Sequence, residues 1–315
     1  RAIRSYMDNG YIPLEDMVEE AFHTNEQTSR TLEYAYDDYA VAQMAKALHD
    51  SCQDATLRQK YLEDYNDLMR RSENWRNVIN PATGWADGRY ENGKWENNED
   101  LVHRKSYITE GATCHYTWYV PQNPEGLFEV IRNSKPMDKL EKQIEKAERK
   151  MEKKGETPVR NEKVIARLDK MFDNGWYWHG NEPCHQIAYL YDAAGAPEKT
   201  QERVHHILQT EYNDTPGGLS GNDDAGQMSA WYVFSSIGFY PVCPGTPYYY
   251  IGTPSFDKVT LNLENGRKFI LSADGVSKDA FYIQKMSLND KPFWGYKLSH
   301  KDILNGGKLK FQMKK

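Results

Sequence analysis

Between Pro183 and Gly238 the chain carries three helix-length segments in a row, each with its own start and stop residues, and this run of signals most narrows what it can fold into. Proline at the first helical position costs no hydrogen bond, and glycine just past the last turn takes the left-handed backbone that ends a helix. Pro183 and Gly195 bracket the first segment in this way. The second opens at Pro197 and runs to about Tyr212. The third starts just after Asp223 and Asp224, whose side chains can cap it, and ends near Gly238. Helices joined by short loops run antiparallel to their neighbours. The first and third segments are therefore expected to be parallel, with Glu182 and Asp224 at one rim.

Upstream, the spacing of Leu32, Ala35, Tyr39 and Ala42 predicts a helix over 29–51, which Ser29 can cap. A second, more polar helix is expected over 54–75. Residues 79–100 are dense in Gly, Asn, Pro and Trp and hold DG and NG turn signals, a loop composition. Tyr116–Tyr119 and Leu127–Arg132 read as pieces of the next helix pair, split by Pro121 and Pro124. Residues 139–155 alternate Lys and Glu over an apolar stripe of Leu140, Ile144, Ala147 and Met151. That pattern predicts a solvated helix resting on one side. From Tyr248 onward the runs YYYIG, KVTLNL, KFILSA, FYIQKMSL and KLKFQMK are short and β-branched or aromatic, with turn signals between them. The expectation is a mainly α protein of two domains, a helical domain over 1–244 and a small β-rich domain over 245–315.

Charge and composition exclude several classes. The net charge is −6 and no apolar run is long enough to span a bilayer, which argues against a nucleic-acid binder and a membrane-spanning protein. An acidic chain of this kind suits neutral or cationic ligands, including a metal ion. Cys52, Cys114, Cys184 and Cys243 are scattered and form no CxxC, so free thiols are expected. The chain opens at Arg1 without a signal-like segment, as a piece of a longer polypeptide would. There is no GxSxG, HExxH, P-loop or GxGxxG.

What remains is a set of acids at helix starts: Glu182, Asp223 and Asp224, joined by Glu110 if the earlier helices continue the alternation. Carboxylates gathered at one rim can hold a hard cation, or serve as the acid and base of glycoside hydrolysis. The plainer reading is helix capping, which suits Asp well and Glu poorly. Adjacent like charges at Asp223 and Asp224 cost more than one cap requires. Aromatic residues flank every acid: Trp176, Tyr177 and Trp178; Tyr116 and Trp118; Trp231 and Tyr232. Sugar faces pack on such rings, although core packing accounts for many of them. His115, His179 and His185 are either hydroxyl-binding or structural. Trp178, His179, Tyr116 and Trp118 are the expected sugar contacts.

The run GLSGNDDAGQMSAWYV over 218–233, followed by IGFYPVCPG and YYYIGTPSF, resembles glycoside hydrolase family 92, the calcium-dependent exo-acting α-mannosidases. SRTLEYAYDDYAVAQMAKAL over 29–48, NVINPATGW, the TEG at 109–111 and HGNEP at 179–183 with the following YLYDAAGAPEKTQ match as well, so the resemblance spans most of 25–260. It implies an (α/α)6 toroid whose inner helices aim their N-termini at the active site, and hydrolysis with inversion. It implies Glu110 as general acid, Asp224 as general base with Asp223 second or assisting, and calcium bound in the region of Asn181 and Glu182. It implies an α-mannoside glycan as substrate, an N-terminal β-sandwich that this chain lacks, and a periplasmic or secreted location. Three departures bear on the site beyond the cleaved bond. Ala112-Thr113-Cys114-His115 stands where the family more often has Asn-Ala-Trp-Gln. The segment between Asp173 and Gly180 lacks the His-Glu loop of many α-1,2-specific members, and the charged stretch over 137–155 reads as an insertion. Mannose in the cleavage subsite carries over; the α-1,2 linkage does not. Two rivals stand beside the enzyme, a calcium-dependent mannose-binding remnant and a mannosyl-phosphodiester hydrolase.

Overall fold

The computed structural model describes residues 2–16 and 25–315. Contacts divide the chain between Tyr177 and Trp178 into two compact units.

The first unit is helical. Its elements are α1 (Ala2–Asn9), α2 (Gln27–Ser51), α3 (Ala55–Arg71), a 3-10 turn (Ser72–Asn77), the short antiparallel pair β1 (Ile79–Asn80) and β2 (Trp85–Ala86), α4 (Thr113–Tyr116), α5 (Pro124–Asn133), α6 (Lys139–Glu152) and α7 (Glu162–Asp173). Local chemistry sets most starts: Asp54, Asn123 and Asp138 each accept a backbone N–H in the first turn of α3, α5 and α6. Ser29 is not the cap of α2. The helix begins at Gln27, after Glu26 at φ 69°, and the Ser29 hydroxyl is used instead against Thr109. Asp38 ties three elements together, accepting from the Tyr6 hydroxyl on α1 and twice from the Arg71 guanidinium of α3.

The charged helix α6 is held differently from expectation. Leu140 of its apolar stripe is 51% exposed, whereas Glu141 is 0% exposed. Glu141 accepts from Arg167 Nε and Nη2 at 3.2 and 3.1 Å, and Glu145 pairs with Lys163 at 2.9 Å. Both bases belong to α7 and are themselves fully buried. Arg167 also donates to the Thr83 carbonyl and the Ser134 hydroxyl, and its guanidinium lies 5.0 Å from the Trp85 ring centre. The helix therefore turns acids inward onto buried bases and leaves Lys142, Lys146 and Lys150 in solvent. Buried charges are tolerated only with such complete pairing.

In the second unit, the first expected helix is broken. Residues after Pro183 form two 3-10 turns, Glu182–Cys184 and Ile187–Tyr189, before α8 (Leu190–Ala193), and Gly195 ends it at φ 86°. The next two follow expectation as α9 (Pro197–Thr210) and α10 (Gln227–Ile237), the latter stopped by Gly238 at φ 113°. Then come β3 (Phe239–Tyr240), β4 (Tyr248–Ile251), β5 (Lys258–Asn262), β6 (Lys268–Asp274), β7 (Tyr282–Leu288), β8 (Lys291–Pro292), β9 (Lys297–Ser299), α11 (His300–Leu304) and β10 (Gly307–Lys314). They form a five-stranded sheet in the order β5-β6-β10-β7-β8, with β10 parallel to β6, and a three-stranded sheet β3-β4-β9. Phe269, Leu271, Leu309 and Phe311 fill the sheet core, and Phe234 and Ile237 of α10 pack against it. Helix gives way to strand near the expected boundary at 244/245, but that shared core crosses it; contacts thin instead at 177/178. All four cysteines are free thiols.

Candidate active site

Two glycine-bearing loops of the second unit meet backbone to backbone. A Cβ placed on Gly180 would lie 2.5 Å from the Ser220 carbonyl oxygen, and one on Gly221 would lie 2.2 Å from that of Gly180. No side chain fits at either position. This contact sets the loop that continues into Asn181 and Glu182 against the loop that continues into Asn222, Asp223 and Asp224. The two aspartates then part company. Asp223 accepts from the Ser229 N–H at 2.9 Å and from its hydroxyl at 3.0 Å, while its carbonyl accepts from Gly226 and Gln227. It secures the start of α10 in the manner of a cap. Asp224 is exposed, and its carboxylate joins no cap or ion pair among the described residues. It opens three successive left-handed residues, Asp224 at φ 39°, Ala225 at φ 58° and Gly226 at φ 92°. Such backbone in residues other than glycine is costly and gathers at functional sites.

Trp178, before the first loop, is 44% exposed. His179 and His185 are not open to a ligand: each is 1% exposed. The Tyr212 hydroxyl spends its one proton on the Met228 carbonyl, so it accepts at 2.6 Å from a protonated His179 Nε2. His185 Nε2 donates to the His179 carbonyl at 3.1 Å, and its Nδ1 faces the Gln227 amide at 3.3 Å. Trp231 Nε1 donates to the His185 carbonyl at 2.9 Å. Burial holds both rings neutral, pushing His179 down to about 2 and His185 to about 4. They brace the loops from below.

Glu110 belongs to the first unit, on the turn before α4. It is exposed, with φ 48°. Thr109 anchors that turn to α2: its N–H donates to the Ser29 hydroxyl at 2.9 Å, and the two hydroxyls meet at 2.8 Å. Tyr116 and Trp118, expected as sugar contacts, are 2% and 0% exposed and build the floor of this region. Both nitrogens of His115 are engaged by backbone, Nδ1 by the Ala112 N–H and Nε2 by the Trp176 carbonyl. Sequence reasoning passed over Glu33, which accepts from the Tyr116 hydroxyl at 2.9 Å. Burial pushes the Glu33 carboxyl upward, Tyr116 pulls it down, and Asp37 and Glu26 push it up again. The seven- and four-residue spacing of Glu26, Glu33 and Asp37 along one helical face was the signal available for it.

For a cation, the donors beside the two glycines are oxygens: the Asn181 amide, the Glu182 carboxylate and the loop carbonyls. Asn181 is buried, and its Nδ2 finds no hydrogen-bond partner among the described residues. Amide nitrogen and oxygen exchange places on a flip, which would present an oxygen to that unmatched position. No group of three or more His, Cys, Asp or Glu side chains gathers as a metal cluster among the described residues.

The profile of the Glycosyl hydrolase family 92 catalytic domain matches residues 1–315. Two solved structures from Bacteroides thetaiotaomicron are similar to this chain. One, a family GH92 α-mannosidase, is 35% identical, covers 99% of this chain and 37% of its own, and superposes with a TM-score of 0.80. That enzyme is also solved with mannoimidazole, at 33% identity, 99% and 38% coverage and a TM-score of 0.78. The other, a GH92 inverting mannosidase, is 32% identical with 99% and 40% coverage and a TM-score of 0.80. An uncharacterized secreted glycosidase of Arthroderma benhamiae is 28% identical over 340 residues, spanning 99% of this chain and 39% of the relative. The chain thus spans 37–40% of the length of these relatives. With the catalytic-domain profile matched from end to end, the chain belongs to glycosyl hydrolase family 92.

Proposed function

We propose that the chain is part of an exo-acting α-mannosidase that removes terminal mannose from N-glycans or mannans with inversion. The observation that carries this reading is the contact of Gly180 with Gly221, which sets an oxygen-rich loop against an exposed aspartate. Asp224 is the general base: it holds a water and takes its proton as the water attacks the anomeric carbon. Glu110 is the general acid and protonates the departing oxygen. Inverting hydrolysis requires a gap between the two carboxyls that admits this water. Asp223 orients the base loop through Ser229. Trp178 offers its exposed ring to a sugar face. Tyr116 and Trp118 are buried behind the Glu110 turn, and His179 is buried behind the loop of Asn181 and Glu182. Asn181 and Glu182 would hold calcium, which would supply positive charge for oxygen donors at the site.

The helices form part of an (α/α)6 toroid, and an N-terminal β-sandwich like that of family members completes the sugar pocket. The protein acts outside the cytoplasm, in the periplasm or secreted. No helix of the described residues is long and apolar enough to cross a membrane. The test is mannose release from α-1,2, α-1,3, α-1,4 and α-1,6 mannobioses, with the N-terminal domain supplied, in calcium and then in chelator. Release that stops on chelation and returns with calcium is expected. Release indifferent to chelator removes calcium, and mannoside binding without turnover removes the enzyme.

A further inference from the structure

His115 closes the turn that carries Glu110, and it does so by a hydrogen-bond pattern that only one form of the ring can supply. The Ala112 N–H donates to His115 Nδ1 at 3.2 Å, while the His115 N–H donates back to the Ala112 carbonyl at 3.0 Å. The far nitrogen, Nε2, lies 2.8 Å from the Trp176 carbonyl, which can only accept. The ring is therefore the neutral Nε2–H tautomer, accepting on one side and donating on the other. A Cβ on Gly111 would come within 3.3 Å of Nδ1, so the ring lies directly against the residue that follows Glu110. Thr109, on the other side of Glu110, is pinned by Ser29. Glu110 is thus clamped from both neighbours in left-handed backbone, at φ 48°.

We propose that His115 is a positioning residue for the general acid, locking the Glu110 turn only while its imidazole is the neutral Nε2–H tautomer. The inference rests on the reading of Glu110 as the acid. A side-chain amide presents the same pair of groups, one acceptor and one donor, without titrating. Glutamine should therefore replace the ring in function. Ionisable groups on the elements meeting at the ring are Glu110 on the turn, Cys114 and Tyr116 on α4, Asp173 and Tyr177 flanking Trp176, and Glu33 reaching α4 through Tyr116. Burial lowers the ring's proton affinity, and the Trp176 carbonyl partly restores it. The sign follows: a histidine with a depressed pKa supports the fold fully above its ordinary value of about 6.5, and that support is lost as pH falls below it. Protonation of Nδ1 then displaces the Ala112 N–H and opens the turn.

The test compares wild type, His115→Gln and His115→Ala across pH, on a mannobiose and on an activated aryl mannoside whose leaving group needs no acid. His115→Ala should lose about 10- to 100-fold in kcat/KM on the mannobiose, the cost of a misplaced catalytic group, and much less on the aryl substrate. His115→Gln should restore mannobiose turnover and remove one titration from the acidic limb. Nitrogen NMR of the ring and hydrogen exchange at the Ala112 amide read the same device without activity. The expected result is an Nε2–H tautomer, with Ala112 protection lost on acidification. Equal losses on both substrates, a glutamine variant as impaired as alanine, or the opposite tautomer would each overturn the proposal. If wild type turns over neither substrate while the NMR result holds, the reading of function fails and the clamp stands.

Discussion

At the scale of single residues, Asp223 and Asp224 are adjacent and chemically identical, yet they hold different positions. Asp223 is consumed by Ser229 and the start of α10, whereas Asp224 stands exposed on left-handed backbone. The difference assigns them separate fates under substitution. Asp224→Asn should lose at least about 1,000-fold in kcat on every mannoside, because general-base work is needed whatever the leaving group. Glu110→Gln should lose a similar factor on a mannobiose and far less on an aryl mannoside. Parallel assays on both substrates check this, and equal loss for Glu110→Gln would remove it as the acid. TEG and GNDD were legible as motifs, and so were the rings beside them along the chain. Which rings face outward was not. Trp178 is open while Tyr116 and Trp118 are sealed, because exposure depends on what packs over a side chain, and periodicity records only its direction.

At the scale of elements, α6 shows how a charge pattern can be read correctly as a helix and incorrectly in its attachment. Its Lys/Glu spacing predicts a one-sided helix, and the helix runs Lys139–Glu152. The side that binds is acidic because α7 brings Arg167 and Lys163 beneath it. Removing one member of a buried pair strands the other. Glu141→Gln should therefore cost roughly 3–5 kcal/mol, whereas Lys146→Gln on the solvent face should stay within about 0.5 kcal/mol. Urea unfolding of the two variants separates the readings, and a small effect for Glu141→Gln would return α6 to a merely solvated helix. The stretch after Pro183 makes the complementary point. Its Pro and Gly punctuation marks both ends correctly, but two 3-10 turns occupy most of what lies between. Tyr189 there packs its ring against Trp231 of α10 and Tyr240 of β3, and that packing overrides helix propensity.

At the scale of the whole molecule, the proposed calcium ligands, Asn181 and Glu182, lie in one compact unit and Glu110 in the other. Calcium binding should therefore stabilise the unit spanning 178–315 selectively. A ligand at 100 times its dissociation constant adds about 2.7 kcal/mol to the state that binds it. Calorimetry in calcium and in chelator should show a rise of several degrees in one transition only. An unchanged melting profile would remove Asn181 and Glu182 as ligands. Capping, turn chemistry and side-chain alternation act over a few neighbours, and they were enough to mark α2, α3, α9 and α10, the strands from Tyr248 onward and the family motifs. Packing of distant segments is what makes Gly180 meet Gly221, brings the Ser29 hydroxyl to Thr109 as well as to the Glu26 carbonyl, turns His115 onto the Ala112 N–H, and divides the chain at 177/178. Each depends on groups distant along the chain competing for the same space and the same hydrogen bonds, and that competition is settled only when the elements pack.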